Sequence, residues 1–107
     1  MNTFEEYQAR AVGVPVALRN NRDRINLPVL GLQEEAGKIG SLLEIAFASG
    51  RLDLTTTQTE ELKNRLAEML WYVAFLCGET GIAMKDVAAH SIAQLDARRN
   101  DLDPNRR

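Results

Sequence analysis

Residues 69–77 read MLWYVAFLC, nine apolar side chains in a row. They continue a helical pattern in which Leu62, Leu66, Met69 and Leu70 share one side. A helix that is apolar on one side needs one covering surface; a helix apolar all round must be covered on every side. The rest of a 107-residue chain does not readily supply that cover. Part of this helix and of the helix before it is therefore expected against another copy of the chain, most simply in a two-fold homodimer or a dimer of dimers.

The same length sets one domain, residues 1–107, with a core over about 3–99 and a polar tail at 100–107. At 45% hydrophobic and 26% charged residues the chain has the composition of a folded globular domain. Its formal net charge of −2 offers no overall field for nucleic acid or an anionic membrane, so neither is expected as a partner. The basic stretches RNNRDR and RRNDLDPNRR are interrupted by acids and read as solvated linker and tail. Nine apolar residues are too few to span a bilayer, and MNTFEEYQ carries acids where a signal peptide needs a basic and apolar start. A cytoplasmic location is expected. Cys77 is the single cysteine and His90 the single histidine, which leaves no disulfide within the chain and no zinc site built from such pairs. Cys77 reads as a small core residue and His90 as helix surface or interface.

No segment alternates like a strand, so the chain is expected to be all-α. Thr3-Phe4-Glu5-Glu6 has the form of a capping box and opens a first helix, which Pro15 limits. A second helix is expected from near Leu27-Pro28, with proline in its first turn, to about Ala48, capped by Gly50. Thr57-Gln58-Thr59-Glu60 is a second capping-box candidate, opening a third helix to about Glu79 that Gly81 ends. A fourth helix is expected from the neighbourhood of Asp86 to about Arg99. Gly37 and Gly40 are expected to allow another helix to approach closely.

Charges interrupt the apolar faces at defined places. Leu32, Ala36, Ile39 and Leu43 mark the inner face of the second helix, and Glu35 and Lys38 project from that side. The third helix offers Glu61, Arg65 and Glu68, with Glu68 beside the all-apolar run. Glu35 with Lys38, and Arg65 with Glu68, are three apart and share a face. In an antiparallel pairing of the two helices, Glu35 opposes Arg65 and Lys38 opposes Glu68. One reading is a charge-balanced network that holds register and adds little net stability. The other is a carboxylate site for magnesium, which prefers oxygen ligands.

The runs GLQEEAGKIGSLL, LAEMLWYVAFLCGETGI and KDVAAHSIAQLDARR, with TFEEYQ near the start, resemble the MazG-like all-α nucleoside triphosphate pyrophosphohydrolases over roughly residues 3–99. The resemblance implies a four-helix bundle completed by homo-oligomerisation. It implies a Glu-Glu-x-x-Glu motif and a Glu-x-x-Asp motif that hold magnesium, and hydrolysis of a nucleoside triphosphate to monophosphate and pyrophosphate. Glu34, Glu35 and Glu68 fall on metal-binding positions. Lys38 and Arg65 fall where two further acids belong. Gln8 falls on a first-helix position near the nucleotide. On the last helix, where the family carries N-x-x-K-L-x-x-R, this chain has Ser91, Gln94, Leu95 and Arg98. Trp71 and Tyr72 read first as core, with stacking on a base as the functional alternative.

Two basic residues among the five acidic positions make a repulsive carboxylate cluster nearly neutral and self-paired. Two functions follow as expectations. The first is a magnesium-dependent pyrophosphohydrolase with an altered site, using Glu35, Glu68 and Glu34 for the metal and Lys38 or Arg65 for the triphosphate. The second is a catalytically silent binding or interaction module with a salt-bridge network in place of the metal.

Overall fold

Two long antiparallel helices form the frame, and two shorter helices meet at the C-terminal half of the second. The computed structural model describes residues 3–51, 53–102, 104 and 105. In chain order the helices are α1 (Phe4–Val12), α2 (Asp23–Phe47), α3 (Thr56–Thr80) and α4 (Met84–Leu102). Among the described residues there is no strand, so the all-α expectation holds. Among the described residues no single helix is long and apolar enough to cross a membrane; α3 and α4 pass that test only as a pair bent by 110°.

The helix ends follow local chemistry. Thr3 caps α1 by accepting a hydrogen bond from Glu6 N at 3.1 Å, as its Thr-x-x-Glu spacing requires. The cap of α3 lies two residues earlier than expected. Thr55 accepts from Gln58 N, and the Gln58 side chain accepts from Thr55 N, which closes a full capping box. Three consecutive threonines at 55–57 left the choice open in the sequence, and the glutamine at the third helical position decides it. Gly81 ends α3 in the left-handed conformation (φ 73°) that a side chain would disfavour.

Two other boundaries differ from expectation. α2 starts at Asp23 and runs through Pro28. A proline inside a helix costs one backbone hydrogen bond; here the ring is fully buried, and burial in the α2 interface offsets part of that cost. α4 is longer than expected at both ends, and Asn100–Leu102, read as tail, continue the helix. Asp103, Arg106 and Arg107 of that tail lie outside the described residues.

α2 and α3 pair in a single register. Gly31 meets Tyr72, Glu35 meets Arg65, and Arg24 meets Glu79 (3.4 Å), so positions that rise along one helix fall along the other. Gly31 is the glycine that this contact needs: a Cβ there would sit well under 3.0 Å from three atoms of the Tyr72 ring. Gly37 and Gly40, expected to serve close approach, face open space. Gly78 plays the same part on α3, where a Cβ would come 2.9 Å from Val12 of α1. Because nothing obstructs a methyl group at position 40, Gly40→Ala is expected to stabilise the protein by about 1 kcal/mol through helix propensity. A lower midpoint in urea for that variant would show that the space is not open.

The core is small. Ala11, Ala74, Cys77 and Met84 are buried, with Tyr7, Trp71 and Val73 packed against them. They join α1, the second half of α3 and the first turn of α4. Gln8 fastens this junction: its Nε2 donates to Ile82 O at 2.9 Å and its Oε1 accepts from Met84 N at 2.9 Å. One side chain thus caps α4 from another helix and sets its direction. Gln8→Ala leaves both backbone groups without that partner and is expected to cost about 1–2 kcal/mol. Increased amide exchange at Met84, with α2 unaffected, is the accompanying signature; uniform exchange along the chain would contradict the local role.

Beyond that junction α4 stands clear. From Ala89 to Leu102 every residue is exposed. Leu66 (52%) and Leu70 (39%), expected on an inner face of α3, are also largely uncovered.

Candidate functional site

The charged cluster forms around one buried carboxylate. Glu35 is 5% exposed, one turn beyond Gly31 on the face that α2 turns toward α3. Across from it, Arg65 reaches up from α3, and its Nη1 donates to both Glu35 oxygens, at 3.0 and 3.3 Å. Burial makes this contact strong in attraction and expensive in desolvation, so its net contribution is small, while its geometry fixes where the two helices meet.

Three more charges surround the pair. Lys38 Nζ lies 3.2 Å from Glu34 and 3.6 Å from Glu35, both within its own helix. The hydrogen bond and charge of Glu34, followed by the charge of Glu35, raise the Lys38 pKa. Its ammonium therefore stays protonated. Glu61 lies one turn before Arg65, with a carboxylate oxygen 3.5 Å from Nε; that nitrogen is buried and makes no hydrogen bond among the described residues. Glu68 is exposed, and Lys38 turns back to α2 rather than across to it. The antiparallel register thus brings Glu35 to Arg65 as anticipated, while the expected Lys38–Glu68 contact is replaced by bridges along α2. The reason is reach: Glu34, one turn back, lets Lys38 remain half solvated instead of crossing the interface.

Tyr72 closes one end of the cluster. Its ring lies on Gly31 and beside Trp71 (centroids 5.1 Å apart), and Trp71 meets Phe75 edge-on at 5.7 Å. Burial first, then the nearby charges of Glu68, Glu35 and Glu34, push the Tyr72 hydroxyl pKa up. Tyr7, on α1, is raised by burial and by Glu68. Both phenols stay neutral at physiological pH. Trp71 packs on the core, and its buried Nε1 has no hydrogen-bond partner among the described residues. Both rings are partly buried.

The other candidate residues lie apart from this cluster. Both polar ends of Gln8 are taken up by the α3–α4 turn. Ser91, Gln94 and Arg98 lie on the uncovered part of α4, as does His90. Cys77 is buried in the core, where desolvation raises its thiol pKa. Gly31 is the residue of this region that sequence reading passed over. Its signal was its place one turn before Glu35, but only the α2–α3 register shows that Tyr72 fills the space above it.

The three carboxylates Glu34, Glu35 and Glu68 do not fit magnesium. Glu35 accepts from a guanidinium with both oxygens, an ammonium sits between it and Glu34, and Glu68 is turned to solvent. Among the described residues no three His, Cys, Asp or Glu side chains are grouped to hold a metal ion. A divalent cation here would meet two fixed positive charges instead of an anionic cage.

Comparison with protein-family models, with curated proteins and with solved structures finds no match to this chain.

Proposed function

We propose that this chain is a catalytically silent binding or interaction module of MazG-like type, in which an ion-pair network stands at the place of the metal centre. The single observation that carries this reading is the two-oxygen contact of buried Glu35 with Arg65. The guanidinium occupies the position from which a cation would be coordinated, and it contacts both oxygens of the carboxylate. Lys38 and Glu34 extend the neutralisation to the surface. Such a network specifies register between two helices, which is a structural task.

Magnesium-dependent hydrolysis of nucleoside triphosphates is the competing reading, and it makes an opposite prediction. Purified protein, given a panel of canonical and modified nucleoside and deoxynucleoside triphosphates with magnesium or manganese, is expected to release no pyrophosphate above the protein-free rate. Turnover by the wild type that Glu68→Ala abolishes would overturn the silent-module reading. Turnover that appears only in Lys38→Glu/Arg65→Glu would support it, because acids would then have been restored at both inverted positions.

A further inference from the structure

The chain leaves α1 through a stretch unlike an ordinary connection. Residues 12–18 read VGVPVAL, seven residues without a polar side chain, where connecting segments are as a rule polar and solvated. Val12 and Val14 are 57% and 50% exposed. Apolar side chains grouped at a surface and rimmed by charge mark binding grooves. Here the stretch and the second half of α3 enclose a half-open cavity of about 220 Å³, walled by Val12, Val14, Val16, Leu18 and Phe75.

Both walls are fixed from within the protomer. Phe75 rests edge-on against Trp71 at 5.7 Å, and Val14 N donates to Ala11 O at 3.3 Å at the start of the stretch. An apolar cavity of about 150 Å³ already admits benzene, so this one takes an apolar group of about six carbon atoms. One charged side chain lines it: Glu79, 27% exposed. The hydrogen bond that Glu79 makes among the described residues is a 3.4 Å contact with Nη1 of Arg24, which is itself 54% exposed and does not line the cavity. A pair so long and so well solvated is weak, and a second cation can take its place.

We propose that this cavity is a binding site for a small primary amine with an apolar body. The apolar body fills the space between the Val12–Leu18 stretch and Phe75, and the ammonium pairs with Glu79 in place of Arg24. The charge of the site selects this class. A carboxylate would bring its charge against Glu79, and a neutral ligand would gain burial alone. The site stands apart from the Glu35 cluster, since Glu79 lies fourteen residues beyond Arg65, about 21 Å along α3. It therefore holds or fails independently of whether the chain releases pyrophosphate.

The test adds hexylamine, protonated at neutral pH, to the isotope-labelled full chain and follows the backbone amides by NMR, with hexanol and hexanoate as controls. Saturable shifts in the millimolar range are expected at Val14, Val16, Gly78 and Glu79, and none around Glu35. Hexanol should bind at least about fivefold more weakly, and hexanoate more weakly still. Glu79→Gln is expected to abolish the preference for hexylamine over hexanol. Arg24→Gln releases the carboxylate and should tighten hexylamine binding about threefold. Should Glu79→Gln fail to fold, Val14→Trp, which fills the cavity from a half-exposed position, is expected to remove binding. The proposal is overturned by the absence of saturable shifts, by hexanol or hexanoate binding as tightly as hexylamine, or by either folded variant binding hexylamine as the wild type does. Shifts at the same residues on diluting the protein alone would also defeat it, because the cavity would then be filled by another copy of the chain.

Discussion

Arg65→Met is expected to lower stability by about 2–4 kcal/mol, somewhat below the usual cost of stranding a buried charge because Arg65 is partly exposed and Lys38 remains near Glu35. The change keeps most of the side-chain volume, so the loss reports on charge rather than on a cavity. For a chain of this size it corresponds to a fall in Tm on the order of 10–20 °C, measured at fixed protein concentration because association shifts Tm as well. Replacing both members, as Glu35→Leu/Arg65→Met, is expected to recover most of that loss, since no charge is then left buried. Urea unfolding followed by circular dichroism separates the cases. A loss below about 1 kcal/mol for Arg65→Met would place the contact with ordinary surface ion pairs and remove its role as the lock between α2 and α3.

Gly31→Val is expected to cost about 3 kcal/mol, at the upper end for forcing extra volume into a packed contact. Its side chain would enter the space that the Tyr72 ring fills. Either the ring leaves its place beside Trp71 or the two helices part. Gly31→Ala should cost about 1–2 kcal/mol even though alanine is the better helix former by about 1. The sign is informative, because Gly40→Ala on the same helix is expected to stabilise. Removing the ring supplies the control. In Gly31→Val/Tyr72→Ala the two losses should be less than additive, by a coupling of about 1 kcal/mol or more. Strict additivity would mean that Tyr72 is not what Gly31 accommodates.

How much of this was legible in the sequence depends on whether the deciding interaction is local. Thr3 with Glu6, and Gly81 after α3, act within a few residues, and their signals were correct. Thr55 was missed because neighbouring threonines carry nearly the same local signal. Pro28 was placed in a first turn because local chemistry favours it there, while the burial that keeps it inside α2 is tertiary. The Glu35–Arg65 pairing could be reasoned from spacing on two helices once they were taken as antiparallel. The partner of Lys38 could not, because a flexible side chain chooses between Glu34 and Glu68 by solvation as well as by distance. The same limit explains the glycines. Gly31, Gly37 and Gly40 look alike in the sequence, and only the facing residue of α3 distinguishes them. The exposure of α4 was not legible at all, since its apolar residues read equally well as the inner face of a bundle.

The Glu35–Arg65 contact also constrains how this chain can change over generations. Substituting an acid for Arg65 alone would set two carboxylates against each other in a buried position, with Lys38 the remaining neighbouring cation. Substituting an acid for Lys38 alone would remove a cation from beside Glu34 and Glu35 while the guanidinium still contacted both Glu35 oxygens. The first of these steps loses stability. The pair therefore ties one position of α2 to one position of α3: neither changes charge alone without leaving a buried group unpaired.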